Sequence, residues 1–280
     1  MSSQVTDNVE SSPSPLQLDV RGILRSRAPR IPGFVASAMA RLLREKELNA
    51  LLREAFPNAG HAFSLAILRA LGIEVKVSGR QNIPERGKLL FASNHPLGGL
   101  DGIALIGLLG GLYGDERIIF PVNDMLMNVR PLKDVFTPVN KYGGQGRGRT
   151  SSLMEAFGSD RHVIMFPAGL VSRLGENGVH DKAWRKTFFT KAIDTGRIIV
   201  PVRFEAANRR RFYNIARWRE RLRIPVNLEQ ALLPSELVHC RRRTFHIRFL
   251  PPVDPVELLR QEGTPPKAVE YIYNKVELQK

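Results

Sequence analysis

From Gly72 onward the chain alternates short apolar runs with stretches of helical spacing, and this rhythm limits the fold more than any other feature. Residues 73–77 alternate with the period of two expected for a strand, and 89–92 form a short apolar run. Further strands are predicted at 118–122, 135–139, 162–166, 198–204 and 244–250. Helices are predicted between them, at 99–110, 150–157, 184–194, 208–222 and 266–280. Thr150 or Ser151 caps one start, and Pro265 or Pro266 suits the first turn of the last helix. Strands alternating with helices predict a single α/β domain with a mixed, mostly parallel sheet flanked by helices.

That domain is assigned to residues 73–280. Before it, 33–56 and 61–71 carry apolar residues at helical spacing with charges between them, so 31–72 reads as an N-terminal amphipathic helical pair. Such a pair can pack on the domain or lie in a membrane interface, and packing is the expectation. Residues 1–30, with Pro13, Pro15 and Pro29, read as a flexible tail.

The longest notable uncharged run, 102–114, has 13 residues, against the roughly 20 needed to span a bilayer. A membrane, if met, is met at its surface. One cysteine, Cys240, excludes an internal disulfide framework and a Cys-based zinc site, and no metal site is expected. The net charge of +15 favours an anionic partner: nucleic acid, an anionic lipid surface or an acidic carrier protein. Residues 203–248 concentrate it, with twelve arginines, no lysine and four acids. That segment is either a solvated basic face or a docking face for phosphates, which the arginine fork holds with paired hydrogen bonds. Trp218 among Arg217, Arg219, Arg221 and Arg223 fits single-strand nucleic-acid binding or a headgroup-level membrane helix.

The stretch Asn94-His95-Pro96-Leu97-Gly98-Gly99-Leu100-Asp101 lies between two apolar runs. It follows a strand, where open α/β sheets place ligands. On one helix a six-residue separation turns through about 600°, so His95 and Asp101 meet only if the chain folds back. Gly98 and Gly99 permit that reversal. A carboxylate that fixes a histidine makes a general base. No Gly-x-Ser-x-Gly elbow occurs, so such a base acts on a substrate hydroxyl directly. The alternative is a polar turn capped by Asp101.

This stretch resembles the His-x4-Asp box of the glycerolipid acyltransferase (PlsC-like) superfamily. Three further blocks follow in that family's order. Asn140-Lys141-Tyr142-Gly143 leads to Gly146-Arg147-Gly148-Arg149, Ile164-Met165-Phe166-Pro167-Ala168-Gly169 is similar to a Phe-Pro-Glu-Gly block, and Ile199-Val200-Pro201-Val202 to an apolar proline block. The resemblance spans roughly residues 70–250 and implies acyl transfer to a hydroxyl. His95 would be the base and Asp101 its orienter. The matching blocks supply substrate-binding candidates: Asn94, Gly98, Gly99, Lys141, Arg147, Arg149, Phe166, Pro167, Gly169 and Arg173. Arg147 and Arg149, in a glycine-rich loop before a helix, also suit an anion on residue chemistry alone.

The resemblance implies no cofactor, only a co-substrate, acyl carrier protein or coenzyme A thioester. It implies a lyso-lipid acceptor, and a cytoplasmic enzyme peripheral to the inner face of the cell membrane. Here five residues separate His and Asp where the family has four, and Ala168 replaces the family's glutamate. Those departures point away from glycerol phosphate and toward a lyso-lipid such as an ornithine or glycine lipid. The box form resembles a bacterial branch linked with such lipids. Two other readings keep a place: a basic nucleic-acid or membrane-surface binder without catalysis, and an acyl thioesterase using the same pair. Nucleic-acid binding leaves the bend without a role, so nucleic acid is not the expected partner. Trp184, Phe188 and Phe189 are expected in the core, and His162, at a strand start, is expected to be structural. A His180–Asp181 pair is not expected to face itself.

Overall fold

Leu89–Ser93 is buried at every position, the signature of a strand covered on both faces. A computed structural model describes residues 16–27, 30–123, 126–138, 150–176, 178–223 and 228–278. It places this strand, β2, inside a seven-stranded sheet. The other strands are β1 (Glu74–Ser78), β3 (Ile118–Val122), β4 (Phe136–Pro138), β5 (His162–Met165), β8 (Ile198–Glu205) and β9 (Thr244–Phe249). The spatial order is β1-β9-β8-β2-β5-β3-β4. β8, β2, β5, β3 and β4 run parallel, whereas β9 is antiparallel to β8 and parallel to β1. The mixed, mostly parallel sheet predicted from the alternation is therefore present. A separate hairpin pairs β6 (Arg173–Gly175) with β7 (Gly178–His180).

Helices cover both faces, and the period of two in β2 sorts its side chains between them. Leu89 and Phe91 join a core with Phe63, Leu105 and Leu109, from α4 (Gly60–Ala70) and α5 (Leu100–Tyr113). Leu90 and Ala92 join a second core with Phe157, Phe188, Leu258 and Ile272. Those four belong to α6 (Thr150–Gly158), α7 (Thr187–Asp194), α10 (Pro255–Glu262) and α11 (Pro265–Glu277). Each fully buried side chain of this size contributes roughly 1.5–3 kcal/mol, so two packed cores fix the sheet firmly. Trp184, Phe188 and Phe189 are buried, as expected, and so is His162.

Arg197, fully buried at the entrance to β8, ties the N-terminal edge together. Its guanidinium donates to the carbonyls of Ala156, Phe157 and Ser159, satisfying the end of α6, and to those of Leu89 and Arg161.

The N-terminal region departs from the sequence reading. Residues 33–56 form two helices, α2 (Gly33–Leu42) and α3 (Glu45–Ala55), because Arg44 takes a left-handed conformation at φ 57° and breaks the run. Within the predicted flexible tail, α1 (Val20–Arg27) is folded. Leu18 and Asn49 exchange two hydrogen bonds, and Glu45 accepts from the Val20 amide. Two more helices, α8 (Arg210–Arg221) and α9 (Leu233–His239), lie between β8 and β9. Among the described residues no helix is long and apolar enough to cross a membrane.

Candidate active site

The parallel strands β2, β5 and β8 deliver their C-terminal ends to one edge of the sheet, and the Asn94–Asp101 bend leaves from the middle of it. Asn94 extends the ladder with its side chain: Nδ2 donates to the Phe204 carbonyl at 3.1 Å and Oδ1 accepts the Phe204 amide at 2.7 Å. This holds the exit of β2 against β8 and starts the turn at a fixed place. Asn94 is 7% exposed and spends both ends of its amide on backbone, so it shapes the site.

The chain then folds back. Gly98 adopts φ +77°, and a Cβ there would lie 2.6 Å from Val171 Cγ2 and 2.8 Å from Leu233 Cδ1. Only glycine meets both demands. Gly99 is extended and has nothing within 4 Å of a Cβ, so the reversal rests on its neighbour. Asn208 pins the outside of the bend, donating to the Pro96 carbonyl at 3.1 Å.

The fold-back brings His95 Nδ1 to 2.9 Å from Asp101 Oδ2. The same oxygen accepts the amides of Leu97 and Gly98, and Oδ1 accepts that of Gly102. Asp101 is wholly buried. Burial works to raise its carboxyl, but the His95 ring and the Leu97 and Gly102 amides outweigh it and hold it below the usual carboxylate range. An ionised Asp101 accepts a proton-bearing Nδ1, which leaves Nε2 as the basic nitrogen of neutral His95.

Phe166 lies flat on the imidazole, with ring centroids 3.9 Å apart and an interplanar angle of 17°. The sheet register causes this contact. Ala92 pairs with Met165, so the residues leaving β2 and β5 emerge side by side. The Phe166 carbonyl accepts the Gly169 amide to close the turn, and the Pro167 carbonyl accepts the Arg185 amide. Ala168 is buried in the second core.

Other predicted groups fall elsewhere. Arg173 is buried, bonds Glu229 Oε1 at 2.7 Å and the Val171 carbonyl at 2.9 Å, and sits over the Phe212 ring. Glu229 is shared with Arg219. Arg173 is thus part of an internal ion-pair network and does not project as an open anion clamp. Cys240 is buried, with its thiol pushed up by burial, which suits a core residue better than a nucleophile. Lys141, Arg147 and Arg149 lie outside the described residues.

Sequence reasoning missed Ser172 and Asp181. Asp181 Oδ1 accepts the His95 amide at 3.1 Å and the Ser172 hydroxyl at 2.6 Å. The Ser172 amide donates to the His95 carbonyl at 2.9 Å. Trp184 Nε1 donates to Asp181 Oδ2 at 2.9 Å. Burial pushes the Asp181 carboxyl up, against the pull of those donors. The only sequence signal was the His180-Asp181 dipeptide, and its side chains do not meet: His180 Nδ1 lies 2.9 Å from the Asp181 carbonyl.

Comparison with known proteins identifies the chain's relatives. A sequence profile of a family described as Acyltransferase matches residues 22–280. A lyso-glycine lipid O-acyltransferase from Phocaeicola vulgatus is 37% identical over 263 residues, covering 92% of this chain and 94% of the relative. One from Bacteroides thetaiotaomicron is 38% identical over 259 residues, covering 91% and 94%. The crystal structure of the 1-acyl-sn-glycerophosphate (LPA) acyltransferase PlsC from Thermotoga maritima superposes with a TM-score of 0.51. It covers 91% of this chain and 84% of its own at 17% identity, so it shares the fold.

Proposed function

This chain belongs to the acyltransferase family, and from that premise we propose that it moves a fatty acyl group from a thioester to the free hydroxyl of a lyso-lipid, with a lyso-glycine lipid or related amino-acid lipid as acceptor. The observation that carries the reading is the His95–Asp101 pair, with Nδ1 committed to a buried carboxylate and Nε2 left as base. Nε2 takes the acceptor's hydroxyl proton as the oxygen attacks the thioester carbonyl. Asp101 balances the imidazolium. Collapse of the tetrahedral intermediate breaks the C–S bond, and the imidazolium returns its proton to the leaving thiolate. No covalent enzyme intermediate is required. The donor is acyl carrier protein or coenzyme A thioester, and no further cofactor takes part.

Two features support an acceptor without a glycerol phosphate headgroup. Ala168 stands where the glycerolipid resemblance has a glutamate, and Arg173 is held by Glu229. The relatives' substrate agrees with that reading.

The proposed workplace is the inner, cytoplasmic face of the cell membrane. α8 supports it: Phe212, Tyr213 and Ala216 face inward, while Arg217, Arg221 and the large apolar Trp218 (67% exposed) and Leu222 (62% exposed) face out. Arginines beside an exposed tryptophan suit anionic headgroups. Asn208, just before α8, donates to the Pro96 carbonyl and so ties this helix to the catalytic bend.

The test is to incubate purified protein with lyso-glycine lipid and either acyl-CoA or acyl carrier protein thioester, following diacylated product by mass spectrometry. Product from the wild type and loss of at least about 100-fold in His95→Ala are expected. Free fatty acid released at a rate indifferent to acceptor would establish a thioesterase instead.

A further inference from the structure

Asp181 is a fully buried carboxylate that the chemistry above leaves without a task. We propose that Asp181 is a positioning residue for the base: its Oδ1 holds the His95 peptide in place, and its negative charge favours the imidazolium that forms on proton transfer. The proposal rests on the reading of His95 as that base.

The geometry is a closed ring. The His95 amide and the Ser172 hydroxyl both donate to Asp181 Oδ1, and the Ser172 amide returns to the His95 carbonyl. Both backbone polar atoms of residue 95 are therefore held by the 172/181 pair, while Asp101 holds the ring. Asp101 fixes how the imidazole turns; the pair fixes where it starts from. Asp181 receives three donors, counting Trp184 Nε1, and a carboxylate that only accepts is the ionised form that suits all three. Burying such an anion is costly. A neutral residue could have filled the space more cheaply, so the charge itself calls for a use.

The C-terminal helix braces the anion from behind. Glu277 Oε1 accepts the Asp181 amide at 2.8 Å, and the Tyr273 hydroxyl donates to the Asp181 carbonyl at 2.9 Å. Arg203 from β8 bonds the Glu277 carbonyl, and His180 faces the Asp181 carbonyl. The charged and titratable groups around the device are thus Asp101, Asp181, Glu277, Tyr273, His180 and Arg203.

Three variants separate a positioning role from a structural one. Asp181→Asn keeps shape and removes charge. Ser172→Ala removes one arm of the ring and keeps the charge. Trp184→Phe removes a donor to Asp181 on the side away from His95. Each is assayed as the full chain for kcat, KM, the pH profile of kcat/KM and thermal unfolding, with lyso-glycine lipid and acyl-CoA. Hydrogen-bond partners that support metal-ligating side chains cost about 10- to 100-fold when changed, and the same scale is taken for the partners of His95. Asp181→Asn is expected to lower kcat by that factor with KM within about threefold, and to move the acid limb to lower pH, because a nearby anion favours the protonated ring. Ser172→Ala is expected to lower kcat severalfold, and this variant carries the test if Asp181→Asn does not fold. Trp184→Phe is expected to lose stability and keep the acid limb. Wild-type kcat and profile in Asp181→Asn would overturn the proposal. So would equal losses in Asp181→Asn and Trp184→Phe with the limb unmoved. Turnover surviving His95→Ala is a separate outcome, which removes the base reading itself.

Discussion

Replacing Asp101 with Asn changes one atom in the centre of the site, and the structure says what that atom does. The carboxylate accepts His95 Nδ1 at 2.9 Å and three backbone amides, all inside a fully buried turn. An asparagine that turns its carbonyl toward His95 keeps the ring and the amides of Leu97 and Gly98, and gives up the Gly102 amide. The bend therefore survives while the charge disappears. Charges about 4 Å apart at an effective dielectric near 20 attract by about 4 kcal/mol. That attraction exists only when the ring is protonated, as in the transition state of proton transfer. Its loss raises the barrier by about the same amount and lowers kcat by about 10³-fold. KM, which this charge does not touch, stays within a fewfold. The assay is thiol release from the acyl thioester under saturating lyso-lipid, with circular dichroism to confirm the fold. A folded Asp101→Asn variant with kcat within tenfold of wild type would refute the argument.

Gly98→Ala is expected to destabilise the protein by about 2–4 kcal/mol, combining the left-handed backbone with overlap against Val171 and Leu233. Gly99→Ala should be neutral or stabilising by up to about 1 kcal/mol, and denaturant melts of the two variants check the contrast. His162 is buried against Tyr113 and its two ring nitrogens are unpartnered, with burial, then Arg117 and Arg197, pushing it down to about 4. The unfolded chain binds a proton that the folded one refuses, so stability is full above about pH 6.5 and falls as pH drops toward 4. The loss from this group is roughly 3 kcal/mol, and His162→Phe should flatten that slope in melts at pH 7 and 4.5. Trp218→Ala with Leu222→Ala should weaken sedimentation with anionic vesicles at least about tenfold while micellar turnover persists, as expected if α8 is the membrane face.

The sheet was largely legible because its inner strands are short apolar runs and its edge strand β1 alternates with a period of two. The fold-back at 95–101 was legible from a single rotation argument, and the two side chains do meet. Shorter elements escaped. β6 and β7 have three residues each, too few to show a period. α10 carried a readable signal, Asp254 capping a helix with Pro255 in its first turn, and was overlooked. The left-handed Arg44 that splits 33–56 has no glycine to announce it. Arg173 looked like a free cation because Glu229, its partner, is 56 residues away. Asp181 lies 86 residues from His95, and no local pattern links them. Spacing finds what the chain brings together by turning, and misses what the sheet brings together by stacking its loops on one edge.

β1 finds its partner at the far end of the sequence: Glu74 pairs with Thr244 and Ser78 with Arg248. On a ribosome the N-terminal part of a domain emerges seconds before the rest. β1 therefore waits, with Val75 and Val77 unpaired, until residue 249 has left the exit tunnel. Before residue 198 emerges, β2 has β5 but lacks β8 on its other side. The His95–Asp101 bend leaves β2 and is held through Asn94 by β8, so it too is set late. A nascent chain halted before residue 198 carries His95, Asp101 and the Asp181 carboxylate, yet has no sheet edge to fix their geometry. Such a fragment exposes the flank of β2 to other chains, which makes the middle of the sequence the stretch most in need of protection during synthesis.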